Sequence, residues 1–335
     1  MQLRLGYKAS AEQFGPRELL DFGILAEQLG FDSVFVSDHF QPWRHKGGHA
    51  PFSIAWMGAL GAKTSRVLLG TSVLAPSFRH HPAIVAQAFA TLGVLFPERI
   101  ILGMGTGEAM NETPATGLAW PEQKERTRRF REALHLIETL WHSERVSYAG
   151  EFYRTSKATI YDRPEIPVQI YVAGAGPHMA KLAGEKAQGF ICTSGKDRDL
   201  YVKTLLPNVD AGLEKAGRAP DSIDRMIEMK VSFDTDYKRA LEDTRNWGAL
   251  ALSQQEKHNV EDPIEMERLA DALPVERTAS RWIVSDEAEE HVGKLKEYID
   301  MGFNHLVFHA PGADQARFLK LYSEQVLPLL RQRFG

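Results

Sequence analysis

Six residues that follow a short β-branched run, Asp38-His39-Phe40-Gln41-Pro42-Trp43, place a carboxylate, an imidazole and an indole side by side. A histidine titrates near neutrality, so His39 has the chemistry to exchange a proton with a hydroxyl group. Asp38 beside it would orient it or keep it charged, and Trp43 offers an aromatic wall or an N–H donor. The alternative for this segment is an Asx-turn that closes a strand.

Further along, Gly103-Met104-Gly105-Thr106-Gly107-Glu108 follows a fourth β-branched run. Its glycines let backbone approach a flat ligand and put Glu108 at a mouth instead of in a core. The G-x-G-x-G spacing after a fourth strand is not the dinucleotide fingerprint, which follows a first strand. Gly70-Thr71-Ser72-Val73-Leu74-Ala75-Pro76 reads, on its own residues, as an ordinary strand end before a proline turn. Ala173-Gly174-Ala175-Gly176-Pro177 and Thr193-Ser194-Gly195-Lys196 each offer backbone N–H groups ahead of a helix. That suits phosphates, with plain helix capping as the alternative. Lys257 and Arg281 lie in or beside a long intervening segment, and with Lys196 they make a three-cation pocket if the fold brings them together. Two unit charges 4 Å apart attract by about 1 kcal/mol in water but about 4 kcal/mol at an effective dielectric of 20, so clustering decides what these cations do.

Metal chemistry is not expected. His45 and His49 are separated by Gly47-Gly48, which argues against a helix, and no HExxH pattern is present. The single cysteine, Cys192, excludes an internal disulfide and reads as a small packed hydrophobe in Gly189-Phe190-Ile191-Cys192.

These residues need a scaffold, and the pattern around them supplies one. Eight β-branched runs, Leu3–Lys8, Ser33–Ser37, Val67–Val73, Arg99–Met104, Val168–Ala173, Phe190–Thr193, Met226–Phe233 and His305–Phe308, alternate with helical stretches. The helical stretches include Pro16–Leu29, Pro82–Leu95, Pro121–Trp141, Asp286–Met301 and Asp314–Leu330, three of them with proline in the first turn. Both faces of the strands look apolar, which favours a closed (β/α)8 TIM barrel of the α/β class over an open sheet. One domain spanning 1–335 is expected, with insertions near 143–167 and 246–282, where loops exceed an ordinary connection. In such a barrel the residues just after each strand line the catalytic face.

The net charge of -4, from 40 basic and 44 acidic residues spread along the chain, gives no footprint for nucleic acid or an anionic membrane surface. No apolar run approaches a membrane span, and the start lacks a signal-peptide pattern, so a cytoplasmic location is expected.

At these motifs the chain resembles the glucose-6-phosphate dehydrogenases that use coenzyme F420, an 8-hydroxy-5-deazaflavin, within the luciferase-like barrel superfamily. The telling segments are Leu5 to Phe14, Val36 to Trp43, Gly103 to Glu108, Ile191 to Lys196 and Asn304 to Gly312. The resemblance implies a homodimeric barrel with deazaflavin contacts at Asp38, Ser72, Val73, Thr106, Gly107, Asn111 and Gly176, and a cis peptide at Ser72-Val73. It also implies that Thr193, Lys196, Lys257 and Arg281 hold the substrate phosphate. His39 would be the base at C1 of a hexose 6-phosphate, Glu108 the acid that protonates the ring, and Trp43 a support for developing charge. Two positions depart from the family's pattern: Ala75 stands where a threonine usually meets the cofactor, and Ala175 replaces the first glycine of a Gly-Gly pair. The rival readings are an FMN- or F420-dependent oxidoreductase with another substrate on the same barrel, and a non-catalytic sugar-phosphate binding protein that would need neither His39 nor Glu108.

Overall fold

The computed structural model describes residues 2–253, 255–257 and 260–335; three positions inside the 246–282 segment and Met1 fall outside that description. Eight parallel strands carry the fold: β1 (Arg4–Ala9), β2 (Ser33–Val36), β3 (Leu68–Thr71), β4 (Ile100–Met104), β5 (Gln169–Ala173), β6 (Gly189–Thr193), β7 (Asp224–Phe233) and β8 (His305–His309). Each pairs with the next, and β8 pairs back onto β1, so the sheet closes into a (β/α)8 barrel. Each of the eight runs read from the sequence contributes one barrel strand.

The alternation of side chains along each strand separates two cores. Val34 and Val36 point outward into the large shell shared with the helices, whereas Phe35 points inward. Phe35, Ile101, Tyr171, Ile191, Met226 and Val307 fill the barrel interior. The Phe35 ring takes the space beside Gly70, where a Cβ would come within 2.3 Å of it. Above this plug the inward positions turn polar, with Lys8 on β1, Glu228 and Lys230 on β7, and His309 on β8 all buried or nearly so.

The outer helices match the expected stretches with three corrections, the first being that the helix expected from Asp286 begins at Ala288, after Glu287 at the N-cap. The helix expected from Pro121 runs Gln123–His142, because Glu122 takes the N-cap position and Pro121 precedes it. Phe130, Leu134 and Ile137 are buried on its barrel side. The stretch expected to end at Leu330 continues to Phe334, through a wider π turn at Tyr322–Val326. Pro328 sits just after that turn, as Pro207 sits just after another at Leu200–Leu205. A proline lacks the N–H for its helical bond and crowds the preceding carbonyls, and a widened turn relieves both.

The 143–167 segment forms an antiparallel hairpin, Val146–Ala149 with Arg154–Ala158. The 246–282 segment builds a small core of its own from Ala249, Leu252, Met266, Ala270 and Leu273, against which Trp43 packs.

Candidate active site

At the C-terminal mouth of the barrel lies a pocket of about 570 Å³. Every site residue singled out in the sequence lines it except Gly176, which is the N-cap of the adjoining helix Pro177–Lys186. The loop after β2 is pinned at both ends. Asn111, on the helix after β4, accepts from the backbone N–H of Phe40 at 2.9 Å and of Gln41 at 3.2 Å. Arg44 bridges to Glu267 at 3.1 Å and Asp271 at 2.6 Å on the insertion helix. Glu267 also accepts from the backbone N–H groups of His45 and Lys46.

Within that loop, Nε2 of His39 faces Oε1 of Glu12 at 3.2 Å, and Nδ1 faces the Gln41 carbonyl at 3.1 Å and the Asn111 amide nitrogen at 3.3 Å. Burial alone would raise the Glu12 carboxyl, but His39, Lys8 and the Ser37 hydroxyl, which donates at 2.6 Å, hold it below its ordinary value. Asp38 does not orient His39. Its carboxylate accepts from Ser53 at 2.6 Å, Arg79 at 2.6 Å and His80 at 3.1 Å. Against burial, these partners keep it ionised below the usual range. Arg79 also reaches Glu112 at 3.1 Å, where burial prevails and the carboxyl is raised. Adjacency in sequence put Asp38 next to His39, but the strand end turns their side chains apart.

One wall of the pocket is backbone and small side chains. Ser72-Val73 is a cis peptide, and Lys8 donates from the other side to the Ser72 carbonyl and hydroxyl, each at 2.6 Å. Opposite, a Cβ on Gly105 would come within 2.6 Å of Val73, and Gly107 has φ +81, so this strip takes no bulkier residue. The flat wall with Thr106 and the buried Ala75 beside it fits a planar ring system. Ala175 lines the pocket without a positive φ, so its backbone makes no demand that only glycine meets. Glu108 is exposed at the rim, at the N-cap of the helix Ala109–Thr116.

The other end is cationic. Lys196, Lys257 and Arg281 all line it. Tyr201 fixes the turn after β6, donating to the Thr193 carbonyl at 2.8 Å and accepting from the Lys196 N–H at 3.2 Å. Burial, then Arg281, lowers the Lys196 ammonium. Burial, with Arg281 and Lys196 and against Glu108, pushes Lys257 down to about 8. The Lys257 ammonium lies 5.2 Å from the centre of the Trp43 ring. Beyond burial, Arg281 depresses both lysines and Lys196 depresses Lys257, as cations lining one pocket do. Cys192 also lines the pocket, but burial pushes its thiol up, so it is no nucleophile.

Sequence reading missed Glu12, Lys8, Glu228, Lys230 and His309 as site residues, and Arg79 and His80 as the partners of Asp38. Period-two alternation gave a usable signal for three of them: Lys8, Glu228 and Lys230 are charged residues inside barrel strands, where the inward face leads to the mouth.

Comparison with known proteins places this geometry. Residues 2–305 match the family model described as luciferase-like monooxygenase. The F420-dependent glucose-6-phosphate dehydrogenase of Nakamurella multipartita is 63% identical over 333 residues, covering 99% of this chain and 98% of that protein. The protein of the same name from Beutenbergia cavernae is 64% identical over 331 residues, with 99% and 98% covered. Among solved structures, an F420-dependent secondary alcohol dehydrogenase in complex with an F420-acetone adduct superposes with a TM-score of 0.91 at 33% identity, covering 97% of this chain and 98% of that one. The coenzyme F420-dependent tetrahydromethanopterin reductase of Methanopyrus kandleri, at 21% identity and a TM-score of 0.82 over the full length of both chains, shares the fold.

Proposed function

The chain belongs to the luciferase-like monooxygenase family, and we propose that it is a dehydrogenase that oxidises C1 of glucose 6-phosphate to the 6-phosphogluconolactone with coenzyme F420 as electron acceptor. The observation that carries this reading is the meeting of Lys196, Lys257 and Arg281 with His39, Trp43 and Glu108 around one pocket. Either set alone suits a rival: cations without His39 and Glu108 suit a binding protein, and the proton-handling set without cations suits an uncharged alcohol.

Bound coenzyme F420 supplies a two-electron acceptor at ring carbon C5. Ser72, Val73, Ala75, Thr106, Gly107 and Asn111 would hold its ring, and Ala175 and Gly176 its tail. Asp38, which lines the pocket with its carboxylate engaged by Ser53, Arg79 and His80, would contact the cofactor beside them. Thr193, Lys196, Lys257 and Arg281 bind the phosphate, where each well-placed charge pair gains about 4 kcal/mol at an effective dielectric of 20. With Nδ1–H donating to the Gln41 carbonyl, His39 takes the proton of the C1 hydroxyl on Nε2, where Glu12 faces the imidazolium that results. Glu108 stands at the mouth, where the ring would take up its proton on reduction. Trp43, whose ring centre lies 6.0 Å from that of His39, would steady the charge that develops there.

The direct test adds glucose 6-phosphate with coenzyme F420, FMN or a nicotinamide cofactor and follows the absorbance of each. Bleaching of the deazaflavin alone is the expected result, and reduction of FMN or the nicotinamide instead overturns the reading.

The reading extends to a cytoplasmic homodimer whose chain folds as one domain over 1–335. Among the described residues no helix is long and apolar enough to cross a membrane. The helix Pro82–Leu95 exposes Ile84 at one end and Val94 and Leu95 at the other, which a second copy would cover. Light scattering at micromolar concentration tests the dimer, and a single cooperative unfolding transition tests the domain.

A further inference from the structure

We propose that Lys230 is a fourth cation of the anion end, so that the site is built for a doubly charged phosphate ester over a singly charged group. The proposal rests on the reading of Thr193, Lys196, Lys257 and Arg281 as the phosphate site and extends it to a residue in the barrel wall.

Lys230 lines the pocket from β7 and is only 4% exposed. Its backbone N–H donates to the Ser194 hydroxyl at 2.8 Å, which ties β7 to the turn that carries Lys196. Its ammonium makes no hydrogen bond among the described residues. The contrast with Lys8 is instructive, because that equally buried ammonium is fully committed to the Ser72 carbonyl, the Ser72 hydroxyl and Glu228. Glu228 is the carboxylate that balances Lys230, yet it already faces Lys8 at 3.3 Å and His309 at 3.4 Å. On the same side, Nε of Arg281 is buried without an acceptor.

An ammonium taken out of water without an acceptor is costly, and so is a guanidinium N–H in the same condition. The Lys230 ammonium borders the pocket beside Lys196 and Lys257 with no protein acceptor among the described residues, and an anion rich in acceptor oxygens that enters there supplies one. Burial together with Arg281, Lys196 and Lys8 pushes the Lys230 ammonium down to about 8 against the pull of Glu228, so it still carries its charge at neutral pH. A second negative charge on the ligand is therefore met by a further positive one.

Calorimetric titration at pH 7 of inorganic phosphate, glucose 6-phosphate and glucose 6-sulfate tests this on the wild-type chain and on Lys230→Met, Lys230→Arg and Lys257→Ala. Coenzyme F420 affinity, read by fluorescence, reports that each variant is folded. Lys230→Met is expected to bind phosphate roughly tenfold or more weakly, as loss of a charged hydrogen-bond donor predicts, and to lose much of the preference for phosphate ester over sulfate ester. Lys230→Arg is expected to retain both. If Lys230→Met binds phosphate as the wild type does while Lys257→Ala does not, the proposal for Lys230 is overturned and the phosphate site stands. If neither variant weakens phosphate binding, the phosphate site itself is wrong. Should Lys230→Met fail to bind the cofactor, Lys230→Gln takes its place under the same criteria.

Discussion

Oε1 of Glu12 lies 3.2 Å from Nε2 of His39, and both side chains line the same pocket. The carboxylate that faces the imidazole thus comes from the turn after β1, not from the neighbouring Asp38. Glu12→Gln, which keeps the shape and removes the charge, is expected to lower kcat by about tenfold to a hundredfold with a smaller change in KM for the sugar phosphate. His39→Ala should lose more. Steady-state rates at saturating substrate decide this, and near-wild-type turnover in His39→Ala would remove it from the mechanism.

The cationic end predicts a pH dependence of substrate binding. Burial and the neighbouring cations lower Lys257 and Lys230 from 10.5 to about 8, with Glu108 and Glu228 respectively opposing. A lysine is charged below its pKa, so both ammonium groups are present at pH 7 and are lost as the pH rises through 8. A phosphate monoester is already a dianion above about pH 7. KM for glucose 6-phosphate is therefore expected to be flat near neutrality and to climb between about pH 8 and pH 9. A KM that stays constant to pH 9.5 contradicts the assignment.

Lys257→Ala separates charge recognition from chemistry. It should raise KM for the sugar phosphate by roughly tenfold or more while kcat falls far less, and change any turnover of free glucose much less than that of the phosphate. Equal effects on glucose and its phosphate would place Lys257 elsewhere in the reaction.

Arg79 answers two buried carboxylates, Asp38 at 2.6 Å and Glu112 at 3.1 Å. Arg79→Met strips Glu112 of its guanidinium and leaves Asp38 with only His80 and Ser53, and the expected loss is about 3–5 kcal/mol of stability, measured by denaturant titration. The sign with pH is set by Asp38, whose carboxyl is held below its unfolded value against burial by His80, Arg79 and Ser53. The stability it contributes is present above the unfolded pKa and vanishes as the pH falls through the folded one. Wild type and variant should thus converge in acid.

Much of this was legible in the residues because barrels expose function at strand ends. Asp38, Thr106, Glu108, Thr193 and Lys196 all stand at or just past the end of a β-branched run, where the chain turns polar, and Ser33–Ser37 and His305–Phe308 named their strands almost to the residue. Long-range pairing was not legible. Nothing in the order of the chain says that His39 meets Glu12 instead of Asp38, or that Arg79 serves Asp38 and Glu112, since these contacts join different strand-end loops. Lys8 and Lys230 were hidden differently, each sitting inside a run that reads as core when only its hydrophobic neighbours are weighed. The helix ends moved for local reasons, with Glu122 taking the cap from Pro121 and a π turn carrying the last helix past Pro328.

The 246–282 insertion docks on the loop that bears His39, through Trp43 against its small core and Arg44 against Glu267 and Asp271. That same insertion bears Lys257, and Arg281 lies at its far end. On the proposed reading, the phosphate-binding cations and the proton-handling histidine are therefore mounted on one mechanical unit and are not interchangeable parts. A chimera that imports this insertion from another barrel would also loosen the histidine loop, so a new specificity can be installed here only by transplanting residues 38–49 with it.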